Sequence, residues 1–296
     1  TPWSKLGYSG TLVANVESEL WSKGGSYIFP QTGGSFQVFS SGTANIGSVL
    51  FSGTSTGGGT QTLIDPTNNF PAGLTAVAGD WLILDKNGAG TPEWGIISGA
   101  ANGTLTVSGG FSSGGLGSGR VYQVLDQSYS VGAQAVRVEF LDTSYVSKRE
   151  IFITDGTAFV TSAATNLFRC NSFIVIAAGA QNKPVGNLTL QSPGAGTVLS
   201  YITAGFTKAR NAQYTVPAGK TLYVHGFTVG AGFGGGTVNS LQYCRVYTKA
   251  NQDNVSGFNT GPIFYPYTEV LLPNSSVYVP IEIPIKLNAK TDIKIS

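Results

Sequence analysis

The sequence predicts an all-β protein: two antiparallel β-sandwiches of the jelly-roll type, with a small β-barrel-like subdomain inserted in the first. Short runs rich in Val, Ile, Tyr, Phe and Thr recur along the chain, and Gly, Asn and Pro separate them. Helical periodicity is nearly absent, apart from two short candidates at 15–23 and 163–168. The 296 residues are enough for two or more domains of ordinary size.

The N-terminal sandwich is predicted to span 1–52 and 127–192 and to begin with an N-terminal arm. Its clearest strand is 133–141, where the apolar Val136, Val138 and Phe140 alternate with Arg137, Glu139 and Leu141. Such period-2 patterning is typical of an antiparallel strand with one face on a core and the other toward solvent.

The inserted subdomain is predicted to span 53–126. It contains four short strand-like runs with Asn and Gly turns between them, at 80–84, 94–97, 104–107 and 120–125. Regular spacing of short strands is typical of a small barrel or sandwich. Ser- and Gly-rich stretches at both borders indicate an insertion.

The C-terminal sandwich is predicted to span 193–296, after the boundary Ser192-Pro-Gly-Ala-Gly196. Two strand-like runs around Pro217 and Gly219 predict a hairpin. The run 277–287 alternates regularly, but it contains Pro280 and Pro284. Because proline cannot donate a ladder hydrogen bond, this run is predicted to be an edge strand or one paired on one side only.

Charge is sparse and nearly balanced, with 17 Lys and Arg against 15 Asp and Glu and 11% charged residues in all. A nucleic-acid-binding face needs a concentrated basic patch, and the sequence shows none. No apolar stretch approaches the length of a membrane-spanning helix. We therefore expect no nucleic-acid and no membrane partner, and a weakly charged surface suited to packing against neighbouring proteins.

No catalytic, cofactor-binding or metal-binding residue is predicted, and the chain is not expected to be an enzyme. His225 is the one histidine and cannot make a metal site alone. The glutamates carry no recognisable glycosidase signature, which weighs against a glycan-active enzyme. The Asp-containing loops 85–88 and 154–157 offer calcium ligands but lack EF-hand spacing, so we interpret them as turns. Cys170 and Cys244 are interpreted as buried thiols, and a disulfide between them stays open.

Aromatic residues crowd both ends of the chain and are the candidate interface residues. Exposed aromatics anchor protein partners or stack on sugars, whereas buried ones pack a core, and both interpretations stay open. Tyr278 belongs to the same C-terminal group. The candidates are Trp3, Tyr8, Trp21, Tyr27, Phe29, Tyr265 and Tyr267.

Three segments, in this order, resemble virion structural proteins of tailed bacteriophages from marine and fresh water. They are Leu20-Trp-Ser-Lys-Gly-Gly-Ser-Tyr-Ile-Phe-Pro30, the region 132–190 with Val136-Arg-Val-Glu-Phe-Leu-Asp142, and Tyr214-Thr-Val-Pro-Ala-Gly-Lys220 with the ending 279–293. The region from about 53 to 126 lies outside the resemblance. The resemblance implies a capsid- or tail-associated particle component, and it implies no catalytic residues.

The expected function is therefore that of a structural protein on the exterior of a virion: a capsid, cement (decoration), vertex or fibre-base component. The resemblance implies a particle assembled in the host cytoplasm. The expected partners are copies of the same chain, as a trimer or pentamer, and other virion proteins, with no cofactor. The alternative is an attachment protein that binds a receptor or a host surface glycan.

Overall fold

The fold is taken from a computed structural model of the chain. It describes residues 5, 7, 19–67, 70, 79–87, 91–111, 117–194, 196–230, 242–250, 265–272 and 276–296. Side chains are not described for 229–230, 242–243, 250, 265–272 and 276–277.

All regular structure in these residues is β-strand, and no helix occurs among them, which confirms the all-β prediction. The strands are β1 (Gln37–Ser40), β2 (Val49–Thr54), β3 (Gly57–Gly58), β4 (Thr62–Ile64), β5 (Trp81–Leu84), β6 (Glu93–Ala101), β7 (Thr104–Val107), β8 (Val121–Leu125), β9 (Ala133–Asp142), β10 (Ser147–Ile153), β11 (Val160–Thr161), β12 (Leu167–Ala178), β13 (Leu188–Gln191), β14 (Val198–Ile202), β15 (Tyr214–Thr215), β16 (Leu222–Gly230), β17 (Gln242–Ala250), β18 (Tyr265–Leu272), β19 (Ser276–Leu287) and β20 (Thr291–Ile295).

The short helix predicted at 163–168 is wrong. The carboxylate of Glu150 accepts the backbone N–H groups of Ala163 and Ala164, at 2.6 and 3.4 Å. Leu167 exchanges backbone hydrogen bonds with Gly34 instead of bonding back along a helix. Tertiary partners therefore hold this segment extended. Of the other candidate, 15–23, the structure describes 19–23, and these residues form no helix: Trp21 makes an isolated β-bridge with Asn211.

The chain divides into two compact units. Unit 1 comprises Thr1–Phe29, Leu141–Ser147 and Arg210–Ser296, and unit 2 comprises Pro30–Phe140 and Lys148–Ala209. The predicted three-part division, with boundaries near 53, 127 and 193, stays a prediction.

A two-sheet sandwich forms one part of unit 2. One sheet has the order β11-β1-β13-β14 and the other the order β10-β9-β12. Large apolar side chains from both sheets meet between them, among them Phe36, Val38, Phe140, Phe173 and Leu190. The inward positions alternate along β1 and β9, as expected where two sheets pack face to face.

The strands β2 to β8 form one seven-stranded sheet of unit 2, which we call the barrel. Its order is β2-β8-β5-β6-β7-β4-β3, with every pairing antiparallel. The first and last strands of this order are consecutive in the chain, since Gly57 follows Thr54 after only Ser55 and Thr56. Side chains of β4 to β8 converge on one apolar interior around Tyr122, so the sheet curls round a core as a barrel does.

The middle sheet of unit 2 is covered on both faces. One face packs in the sandwich core, and the other packs through Ala135, Ile151 and Ile176 against Ile83 and Leu125 of the barrel. This arrangement explains why β9 is buried along most of its length. The solvent-facing side predicted for this strand is therefore largely covered, because the barrel packs against it.

Unit 1 contains a sheet of order β15-β20-β17-β18 and a two-stranded ribbon of β16 and β19. The predicted hairpin around Pro217 is wrong, because β15 pairs with β20 whereas β16 pairs with β19. Gly219 has φ of 69°, and Ala218 N donates to Tyr145 O at 2.8 Å. The turn therefore directs the two strands into different sheets.

Candidate assembly surface

Three of the predicted interface aromatics are buried within unit 1. Trp21 is 2% exposed, and its ring meets Tyr27 edge to face at 5.2 Å between centroids. Tyr27 meets Phe29 in the same way at 4.9 Å, and Trp21 Nε1 donates to Gly25 O at 2.9 Å. These contacts favour the core-packing interpretation for Trp21, Tyr27 and Phe29. Their role at an interface stays a prediction.

The other four candidates cannot be placed. Trp3 and Tyr8 lie outside the described residues. Tyr265 and Tyr267 lie on β18, where the backbone is described and the side chains are not. Their interface role also stays a prediction.

The β16–β19 ribbon is the most open element among the described residues. Each strand of the ribbon pairs only with the other in the part of the chain that the structure describes, as the prolines of β19 predict. Two-stranded antiparallel ribbons are marginal in water unless something packs against them. An open edge is also a site at which other chains can pair.

One end of the ribbon is anchored in unit 1. Leu287 is buried with Val216 and Ile293, and Leu222 and Ile285 pack against the same cluster. Alternate residues of β16 and β19 supply these contacts, as the period-2 geometry of a strand requires. The packing of this end therefore holds the ribbon in place within unit 1.

Large apolar side chains beyond the anchored positions are exposed. Tyr223 is 52% exposed, Tyr278 is 61% exposed, and Ile283 is 85% exposed, the highest value for a large hydrophobic residue among those described. Isolated exposed apolar residues are common, but three on one two-stranded element form a candidate contact surface. The sequence analysis missed Tyr223 and Ile283, although the alternation in 277–287 was a usable signal.

A bulge interrupts β19 in the middle of the ribbon. Val224 pairs with Ile285, but Gly226 pairs with Pro280, so four residues of β19 lie opposite His225. Ile283 and Pro284 are in this bulge, and Pro280 immediately precedes it. Bulges and prolines disfavour continuous addition of another strand along an edge. A partner is therefore expected to contact side chains of the ribbon rather than extend its ladder.

Gly226 provides space for the ring of Tyr278. A Cβ atom at Gly226 would lie 2.8 Å from Tyr278 Oη and 3.1 Å from its ring. The tyrosine ring therefore lies directly over the glycine backbone on one face of the ribbon. This packing holds an exposed aromatic ring in a defined position.

Comparison with protein-family models, with curated proteins and with solved structures finds no match to this chain.

His225 lies exposed on β16. Within the described ranges, no three His, Cys, Asp or Glu residues are grouped so that they could hold a metal ion. None of the described residues forms a helix long and apolar enough to cross a membrane.

The described residues of the two candidate calcium loops have turn geometry. Asp85, at φ of 46°, pairs with Arg120 and accepts the N–H of Val121 at 3.1 Å. Arg120 also lies 3.4 Å from Glu93. In the other loop Gly156 has φ of 57°, which is typical of a turn. These geometries favour the interpretation of both loops as turns.

Cys170 and Cys244 are both buried, and no disulfide joins them. Burial raises the pKa of the Cys244 thiol to about 11, so the thiolate is scarce at neutral pH. Burial also raises the pKa of Glu150 above its ordinary value, although the N–H groups of Ala163 and Ala164 oppose this shift. The bonds of Glu150 to those two residues give it a structural role.

Proposed function

We propose that this chain is a structural protein on the exterior of a virion, and that it acts by homo-oligomeric assembly through the β16–β19 ribbon. The open ribbon with exposed Tyr223, Tyr278 and Ile283 is the observation that carries the assembly part. The virion part rests on the resemblance of the three ordered segments. Capsid, cement, vertex and fibre-base positions are all compatible with it.

A second copy of the chain is the proposed occupant of the ribbon surface. Glu282 and Lys286 are both exposed and lie four residues apart on β19, beside Ile283. A surface that carries both signs of charge around an apolar centre complements another copy of itself. A closed ring, as in a trimer or pentamer, would join the Glu282 of one copy to the Lys286 of the next.

Solution mass tests this proposal. Sedimentation velocity on the purified full chain over a wide range of concentration is expected to show a discrete oligomer in equilibrium with the monomer. Addition of particles that lack the protein is expected to deplete it from the supernatant. A protein that stays monomeric at every concentration and leaves such particles unbound would contradict the proposal.

The second candidate function is attachment to a receptor or a host surface glycan. Exposed tyrosines favour it, because aromatic faces stack on sugar rings, and Tyr223 and Tyr278 are more than half exposed. A glycan array probed with the wild-type chain and with a Tyr223→Ala, Tyr278→Ala double variant tests this function. Binding by the wild type that the double variant loses would favour attachment, and silence across diverse glycans would count against it.

A further inference from the structure

Two arginines and one glutamate form a charged cluster on the middle sheet of unit 2. Arg137 Nη2 lies 3.2 Å from Glu139 Oε1, and Arg149 Nε lies 3.1 Å from the same oxygen. Because both arginines contact one oxygen atom, their guanidinium groups lie side by side. The cluster holds two positive charges and one negative charge.

The strands place these side chains on one face. Arg137 and Glu139 are two residues apart on β9, and Arg149 is on β10 of the same sheet. The barrel covers the neighbouring part of this face through Ala135 and Ile151. The cluster therefore lies beside an apolar contact and is only partly open to water.

Trp94 forms the barrel side of the cluster. The guanidinium carbon of Arg137 lies 4.7 Å from the centroid of the Trp94 ring, a cation–π contact. This contact orients the Arg137 guanidinium but brings no negative charge. Burial lowers the pKa of Arg137, and the nearby Arg149 lowers it further, whereas Glu139 raises it.

The two guanidiniums have more donors than their contacts with the described residues use. Each has five N–H donors. Arg137 uses one nitrogen on Glu139, and its Nε is buried without a hydrogen-bond partner. Arg149 contacts Glu139 through Nε, and its side chain is 49% exposed, so solvent reaches about half of it. Among the described residues, the cluster therefore has one more positive than negative charge and a buried donor without an acceptor.

We propose that Arg137 and Arg149 form a binding site for one oxyanion, a carboxylate, sulfate or phosphate group. Paired guanidiniums recognise such groups because their planar donor forks match two oxygens at once. The anion would bind opposite Glu139, where it would accept from both arginines and balance the excess positive charge. The site does not depend on self-association through the ribbon.

NMR of the arginine Nε–Hε groups tests the site, with sodium sulfate, sodium phosphate and sodium glucuronate as separate probes. We expect saturable shifts of the Arg137 and Arg149 signals, with Kd in the millimolar range. Tighter binding of glucuronate than of sulfate and phosphate would identify a sugar acid as the preferred source of the anion. Equal binding of all three probes would support recognition of charge alone.

Three variants make the test specific. Arg149→Gln is expected to weaken binding about tenfold, because it removes a charge-assisted contact at a half-exposed side chain. Glu139→Gln is expected to tighten binding, since it removes the competing carboxylate, whereas a purely structural ion cluster would show no such gain. Lys148→Gln is the matched control: it removes the same charge from the next residue, on the other face of β10, and should leave Kd unchanged. The absence of saturable shifts with all three probes, or an unchanged Kd in Arg149→Gln, would overturn the proposal.

Discussion

The barrel of unit 2 and the ribbon of unit 1 are both antiparallel β-structures, but their apolar side chains lie in opposite environments. In the barrel, the two end strands β2 and β3 are joined through Ser55 and Thr56, and side chains of β4 to β8 pack in one enclosed apolar interior. The ribbon pairs only within itself among the described residues, and exposes Tyr223, Tyr278 and Ile283. Apolar side chains that pack inside a barrel stabilise the barrel itself. Apolar side chains that are exposed on a ribbon remain available for contact with a partner.

Tyrosine substitutions give the largest expected contrast between the two regions. Tyr122 is fully buried in the barrel, and its hydroxyl donates to Asp65 Oδ2 at 2.7 Å. Tyr122→Ala is expected to lower the free energy of unfolding by about 3 to 5 kcal/mol, because it leaves a cavity and removes a partner of a buried carboxylate. Tyr223→Ala in the ribbon should change it by less than about 0.5 kcal/mol. Chemical denaturation of both variants measures the difference, and equal losses would refute this contrast.

Charge removal is expected to give the next largest contrast. Arg120 pairs with Asp85 and Glu93, whose side chains are buried at one end of the barrel. Arg120→Gln is expected to cost about 3 kcal/mol, since it leaves two buried carboxylates without their cation. Lys286→Gln, at an exposed ribbon position, should fall within about 0.5 kcal/mol of the wild type. Thermal unfolding at fixed pH checks both, and a stable Arg120→Gln variant would show that the barrel does not depend on this ion cluster.

Substitution of Ile283 is expected to change self-association without changing the stability of the monomer. Ile283→Asp is expected to weaken self-association at least about tenfold, because it places a charge at the apolar centre of the proposed contact. Its unfolding free energy should stay near that of the wild-type monomer, since the side chain is 85% exposed. The matched control is Ile96→Asp on barrel strand β6, another exposed isoleucine, which should leave self-association unchanged. Sedimentation equilibrium on the three proteins measures the association constants.

Gly226→Val tests the position of the Tyr278 ring. A side chain at Gly226 would collide with Tyr278 and with Val279 O, so the ring must leave its place over the glycine. We expect a loss of about 1 kcal/mol in unfolding free energy and weaker self-association, with the barrel unaffected. A Gly226→Val variant that assembles like the wild type would show that this tyrosine position is not used.

The sequence predicted well which segments form strands, but it predicted poorly which strands pair with each other. Strand identity follows from local patterning, so the alternation in 277–287 and its two prolines correctly indicated a strand paired on one side. Which strand pairs with which, when they are far apart in the sequence, does not follow from local patterning. The strands on either side of Pro217 were therefore predicted to form a hairpin, although β20 and β19 are their partners.

Burial was hardest to predict for a sheet face that either solvent or another part of the chain could cover. The alternation of 133–141 indicated one solvent-facing side, but the barrel covers much of that side through Ile83 and Leu125. For the same reason aromatic content alone did not locate a surface. Trp21, Tyr27 and Phe29 pack on each other, whereas Ile283, an aliphatic residue in a bulge, is the most exposed large hydrophobic residue among those described. Exposure of this kind depends on the register of β19 against β16, which the sequence does not specify.

Hydrogen exchange at two protein concentrations tests the central contrast most directly. Backbone amides of β16 and β19 are expected to exchange more slowly at high concentration, because a second copy covers the ribbon. Amides of the barrel strands β5 and β8 are expected to exchange at the same slow rate at both concentrations, since their partners lie within the chain. Ribbon amides that exchange equally fast at both concentrations, while sedimentation shows an oligomer, would contradict the assignment of assembly to the ribbon.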